Sequence, residues 1–169
     1  DLDGTLYPSS LGMESKILPA TSATIQALLS LDQAEVRRLV SKYNSLYGYV
    51  ALGLAEEFGI DPSAFVAEVY AQVDRTPIQP DRTLQSVMQR VSELLPIVIM
   101  TNSARIHADE VLDRLGVTST VSRVLSIEDL NFRLKPDRLA YRSMLEILGH
   151  MPTELLYIDD SIRNVYAAR

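Results

Sequence analysis

Downstream of Pro80 the chain alternates short apolar runs with stretches of helical spacing, and this alternation restricts the fold more than any other feature of the sequence. The runs "PIVIM" (96–100), "TVSRVL" (120–125) and "ELLYI" (154–158) read as strands, the first and last of the kind buried on both faces. Between them, "SARIHADEVLDRLG" and "PDRLAYRSMLEILG" place apolar residues three and four apart and end on Gly116 and Gly149. Pro136 suits the first helical position of the second stretch. Strand, helix, strand, helix, strand, helix is the order of a parallel sheet joined by right-handed crossovers. Such a doubly wound α/β sheet receives its ligands at the carboxyl ends of its strands.

The residues at those ends are polar and differ in chemistry. "TNS" follows the first run, "KPD" opens the helix after the second, and "DDS" follows the third. The chain itself opens on "DLDGT", two carboxylates around one leucine. Brought together, these loops would gather Asp1, Asp3, Thr101, Asn102, Lys135, Asp159 and Asp160. Four carboxylates in one pocket either raise one another's pKa or require a cation. Oxygen ligands without His or Cys favour Mg²⁺, which takes one or two carboxylates together with substrate phosphate and water. A Lys and a Thr hydroxyl beside such an ion make a cradle for a phosphoryl group.

The texture upstream is different. From Glu14 to Asp74, "ATIQALLSL", "DQAEVRRLVSKYNSLYG" and "PSAFVAEVYAQV" all have helical spacing, and the Pro-rich "DRTPIQPDRT" marks the return. The expected organisation is an α/β core over 1–13 and 80–169 with a helical insertion over 14–79. A net charge of −6 argues against a nucleic-acid surface. No apolar run approaches the roughly 20 residues a membrane helix needs, so no membrane partner is expected. The absence of cysteine removes disulfides and thiolate metal sites and fits the cytoplasm.

The ordered set "DLDGT", "TN", "KP" and "IDDS" resembles the haloacid dehalogenase-like (HAD) superfamily. The resemblance implies a Rossmann-like core with an all-helical cap inserted after the first motif. It implies that Asp1 is a nucleophile and Asp3 a general acid and base. It assigns Mg²⁺ to the Asp1 and Asp159 side chains and the Asp3 carbonyl, with Asp160 supporting the ion's waters. Thr101, Asn102 and Lys135 would then hold the phosphoryl group. A carboxylate attacking phosphorus divides one difficult displacement into two easier ones, which agrees with this assignment. "TLYPSS" and a helical insert containing "YGYVALGL" are similar to the pyrimidine 5'-nucleotidase-like branch, which implies a small phosphate ester such as a nucleotide 5'-monophosphate. Family members carry an apolar strand before the first Asp. This sequence does not, so it reads as an internal piece of a longer protein, lacking the first core strand.

Taken singly, each residue has a plainer reading: Asp1 and Asp3 as a solvated turn, Ser103 as a helix cap, Lys135 as surface charge, Asp159 and Asp160 as helix-dipole partners. His107 and His150 are expected to be exposed or partly packed helix residues, and Tyr43, Tyr47 and Tyr49 to pack the insertion. Three rival functions remain. A haloacid dehalogenase shares the nucleophile but has no need of an acid two residues later. A response-regulator receiver also sets acids, Thr and Lys around Mg²⁺, but carries its acidic pair early. A catalytically inactive remnant is the third.

Overall fold

The computed structural model describes residues 1–169 apart from the side chain of Glu14. The chain divides into two compact units, Asp1–Leu11 with Arg75–Arg169, and Gly12–Asp74.

The unit Gly12–Asp74 is made of four helices: α1 (Met13–Leu29), α2 (Gln33–Tyr47), α3 (Val50–Phe58) and α4 (Pro62–Ala71). The α2 start is specified by a reciprocal cap. Asp32 Oδ1 accepts from Glu35 N at 2.8 Å, and Asp32 N donates to the Glu35 carboxylate at 2.9 Å. Tyr43 is fully buried against Gly53, where an added Cβ would lie 2.2 Å from the ring. Its hydroxyl donates to Glu57 at 2.6 Å, so the one polar atom of this core tyrosine is satisfied. Tyr47 stands edge-on to Tyr43 with ring centroids 5.9 Å apart.

The second unit holds α5 (Arg82–Ser92), β1 (Val98–Met100), α6 (Arg105–Leu115), β2 (Arg123–Leu125), α7 (Arg138–Leu148) and α8 (Ile162–Ala167). β1 and β2 pair in parallel, Val98 opposite Arg123 and Met100 opposite Leu125. This is the mixed helix and parallel-sheet architecture that the strand–helix alternation predicts. Three details differ from expectation. The helix α5 has no counterpart in the sequence reading, although Asp81 announces it by accepting from the Thr83 and Leu84 nitrogens. Pro136 lies outside α7, because Asp137 is the N-cap and accepts from Leu139 N at 2.9 Å.

The third difference concerns "ELLYI". It joins no ladder among the described residues, and Leu156 and Ile158 are exposed rather than buried. Its side chains nevertheless alternate as in a strand: Leu155 and Tyr157 pack on a core of Met100, Leu125, Leu130, Ala140, Tyr141 and Met144. Its backbone meets Asp1 instead of β1, through a 3.0 Å bond from Asp1 N to Ile158 O. Pairing with one residue fixes position without making a ladder.

After β2 the chain turns sharply around Asp129. One carboxylate oxygen accepts from Ser126 N at 2.8 Å, Ser126 Oγ at 2.7 Å and the Arg105 guanidinium at 2.8 Å. Partial burial pushes the Asp129 pKa up, but these donors outweigh it and hold the carboxyl below its ordinary value. A depressed folded pKa gives stability that is present above the unfolded value and lost as pH falls through the folded one. Asp129→Asn is therefore expected to cost about 1 kcal/mol at neutral pH in denaturant unfolding, since one acceptor weakens while its donors stay. The difference from wild type should shrink as the pH drops below about 4. A difference that grows with acid would refute this account.

Candidate active site

The four loops singled out in the sequence converge in the second unit. Lys135 is the hub. Its side chain is 1% exposed, and its ammonium donates to Asp1 Oδ1 at 2.6 Å, Asp159 Oδ2 at 2.9 Å and Met100 O at 3.0 Å. Three donors thus meet three acceptors, as burial of an ammonium demands. Burial draws the Lys135 pKa down and Asp159 opposes that shift. Asn102 holds the lysine backbone at two points, Nδ2 donating to Lys135 O at 3.0 Å and Oδ1 accepting from Lys135 N at 2.7 Å. The Asn102 amide is therefore turned to the loop that carries Lys135.

Asp1 and Asp159 flank that ammonium with side chains only 8% and 0% exposed. Asp1 Oδ2 accepts from Thr5 Oγ1 at 3.0 Å. Asp159 has a fuller set of donors: the Tyr157 hydroxyl at 2.6 Å, Ser161 N at 2.9 Å and Asn164 Nδ2 at 2.9 Å. Its burial favours the neutral acid, yet Tyr157, Lys135 and these amides hold its pKa below the ordinary value. Asp160 is exposed and approaches Gly4, which has a positive φ of 86°; a Cβ there would stand 2.5 Å from Asp160 Oδ2. Only glycine leaves that carboxylate its place.

Asp1, Asp159 and Asp160 can each offer an oxygen within 4.8 Å of the others. Lys135 pairs with Asp1 and Asp159 while Asp160 lies exposed beside them, all the ligand atoms are hard oxygens, and no His or Cys stands among them. This donor set fits a divalent oxygen-seeking cation such as Mg²⁺.

Asp3, two residues from Asp1, has a separate set of partners. Oδ1 accepts from the Tyr7 hydroxyl and lies 2.7 Å from His107 Nε2; Oδ2 accepts from Ser103 Oγ at 2.6 Å and Thr101 Oγ1 at 3.3 Å. Burial alone would push its pKa up. The hydrogen bonds from His107, Ser103 and Tyr7 win and hold it below the ordinary carboxylate value.

Two expectations are corrected here. Ser103 does not cap α6, whose N-cap is Ala104; its hydroxyl goes to Asp3 instead, and the Glu128 carboxylate takes the Arg105 N–H at 3.1 Å. His107 is neither exposed nor loosely packed. It is fully buried and touches Asp3. The sequence held a signal for this, since His107, Ala108, Val111, Leu112 and Leu115 form the inward stripe of α6. An imidazole in such a stripe requires a polar partner. His150 is exposed, 3.4 Å from Glu154.

Comparison with known proteins bears on the same residues. The family model described as "haloacid dehalogenase-like hydrolase" matches residues 1–169. A protein named phosphoglycolate phosphatase from Xylella fastidiosa (strain Temecula1) is 28% identical over 178 residues, covering 100% of this chain and 73% of its own. Another of that name from Neisseria gonorrhoeae is 35% identical over 75 residues, 44% of this chain and 31% of its own. Among solved structures, L-2-haloacid dehalogenase from Xanthobacter autotrophicus aligns with 90% of this chain and 67% of its own at a TM-score of 0.51 and 19% identity, which shows a shared fold. The likeness runs through both units of the chain, and the chain belongs to the haloacid dehalogenase-like hydrolases.

Proposed function

We propose that this hydrolase is a Mg²⁺-dependent phosphomonoester hydrolase that works through an aspartyl-phosphate on Asp1 and acts on a small phosphorylated metabolite. One observation supports the reading above others: Asp1 and Asp3 are held by disjoint sets of partners. Lys135 and Thr5 hold Asp1, while His107, Tyr7, Ser103 and Thr101 hold Asp3. Separate environments let two carboxylates take separate roles.

In the first step an Asp1 oxygen attacks phosphorus. The bond to the ester oxygen breaks with its electron pair going to that oxygen, which takes a proton from Asp3. In the second step Asp3 removes a proton from water as the water displaces Asp1 from phosphorus. Asp3 held as a carboxylate is in the protonation state that this second step requires. For the first, the negative charge of an arriving phosphate monoester raises its proton affinity. Lys135 balances the charge of Asp1, and Thr101 helps place the phosphoryl group; Asn102 acts by holding the Lys135 loop. Asp1, Asp159 and Asp160 with the Asp3 carbonyl would hold Mg²⁺, whose charge offsets that of the phosphoryl oxygens.

The name of the similar phosphatases supports a phosphate ester as substrate, and 2-phosphoglycolate joins a nucleotide 5'-monophosphate as a candidate. The helical unit Gly12–Asp74 takes the role of the cap, which selects the leaving group. A dehalogenase releases a halide that needs no proton, so an acid at Asp3 held by four side chains favours phosphate.

Phosphate release from 2-phosphoglycolate, a pyrimidine 5'-nucleotide and an aryl phosphate, each with Mg²⁺ and with excess chelator, tests the proposal. Release that depends on Mg²⁺ is expected. Full turnover in chelator would remove the metal from the reading. Halide release from 2-chloropropionate with no phosphate release from any ester would replace the reading by a dehalogenase.

A further inference from the structure

His107 exchanges no proton with the substrate in that reaction, yet it is fully enclosed beside the site. It is 0% exposed, with Nε2 2.7 Å from Asp3 Oδ1. Its other nitrogen, Nδ1, accepts from Arg75 Nε at 3.0 Å. Arg75 is itself buried and is oriented by Glu110, whose Oε2 lies 2.9 Å from a guanidinium nitrogen. Glu110 is one turn beyond His107 on α6, so a single helix carries both ends of this clamp.

An arginine can only donate. Its N–H at Nδ1 obliges that nitrogen to accept, which puts the ring proton on Nε2, facing Asp3. A proton on both nitrogens would set two donors against each other at Nδ1. The two Asp3 oxygens consequently differ. Oδ1 faces, besides the Tyr7 hydroxyl, an N–H that cannot turn away, whereas Oδ2 faces the Ser103 and Thr101 hydroxyls, which can rotate from donating to accepting.

We propose that His107 is a positioning residue for Asp3: Arg75 fixes its ring in the Nε2–H tautomer, the ring anchors Oδ1, and proton exchange with the leaving group and with water is confined to Oδ2. The kinetic consequence rests on the phosphomonoesterase reading; the tautomer and the anchor rest on geometry alone. In the first step the Oδ2 proton passes to the departing ester oxygen as that oxygen takes the electron pair of its bond to phosphorus. In the second Oδ2 receives a proton from water. Oδ1 stays on His107 throughout, which spares Asp3 a rotation between steps.

The test has a spectroscopic and a kinetic arm. In long-range ¹H–¹⁵N correlation spectra, with His150→Gln assigning the second histidine, His107 should show a protonated Nε2 and a bare Nδ1. Arg75→Met should release this fixed tautomer, and Asp3→Asn should shift the Nε2–H resonance. A wild-type ring protonated at Nδ1, or an Nε2–H indifferent to Asp3→Asn, overturns the anchor whatever the protein hydrolyses.

For kinetics, kcat/KM reports the steps through release of the alcohol. His107→Leu should lower it on the order of 100-fold for an alkyl phosphate, whose alkoxide must be protonated, but only several-fold for 4-nitrophenyl phosphate, whose leaving group needs no proton. His107→Gln, with an amide N–H able to reach the Nε2 position, should recover most of the alkyl activity. An equal loss for both esters, or no recovery with Gln, would reduce His107 to packing and overturn the proposal. If the wild type hydrolyses neither ester, the phosphomonoesterase reading fails by itself, and the spectra still decide whether His107 anchors Asp3.

Discussion

Asp1→Asn should abolish turnover, by a factor on the order of 10⁴ or more, while leaving the fold in place. The amide has nearly the volume of the carboxylate; its oxygen can still accept from Lys135, which holds Asp1 Oδ1 at 2.6 Å, and its NH2 can donate to the Thr5 hydroxyl, which holds Oδ2 at 3.0 Å, once that hydroxyl turns. What disappears is the nucleophile, since an amide oxygen carries no full charge and attacks phosphorus poorly. Removing a covalent nucleophile typically costs far more than removing a group that only orients the substrate. Rapid acid quench followed by intact-mass measurement should show a phosphoryl adduct on the wild type during turnover and none on the variant. Turnover near the wild-type rate, or an adduct that persists in Asp1→Asn, would place the attacking group elsewhere.

The same substitution separates two parts of the site that sequence patterns make unequally visible. Lys135 precedes a helix and Asp159 ends an apolar run, both announced by spacing, and the motif around Asp1 joins them at the same end of the fold. Their convergence on one buried ammonium follows from that topology. The surroundings of Asp3 were far less legible. They depend on the rotation of α6, which decides that His107 and not Ile106 faces inward: His107 is fully buried and Ile106 is 47% exposed. Periodicity could have given that rotation, because the stripe from His107 to Leu115 is regular. The partner on the far side of the ring could not be read, since Arg75 lies 32 positions away in a Pro-rich return segment without periodicity.

"ELLYI" illustrates a different limit. Its composition fits a buried strand, and its inward residues do pack as one would. Ladder membership, however, depends on the neighbouring segment and not on the run itself. The helix α5 shows the reverse. Its apolar residues Leu84, Val87, Met88 and Val91 keep a regular three- and four-residue spacing, so periodicity and the cap on Asp81 both announced it.

Lys135→Met should have the largest effect on stability, because it removes the one cation between two buried acids while nearly preserving side-chain length. Asp1 and Asp159, 8% and 0% exposed, would then face each other without an ammonium. Breaking a buried ion pair by deleting one partner costs roughly 3–5 kcal/mol, mostly the penalty of the charge left behind. Met100 O would lose its bond from the lysine as well. A divalent cation at Asp1, Asp159 and Asp160 can replace part of the lost charge. Addition of Mg²⁺ should therefore raise the Tm of the variant more than that of the wild type, a mass-action effect set by how much better the folded state binds the ion. Activity should fall by about 10²–10³-fold. It should fall alike for 2-phosphoglycolate, a nucleotide and an aryl phosphate, because all three present the same phosphoryl group to the lysine and differ only in what leaves. Equal Mg²⁺ shifts in the two proteins would show that the lysine and the ion do not share those carboxylates, and a changed ranking of the three esters would mean that Lys135 reads the leaving group.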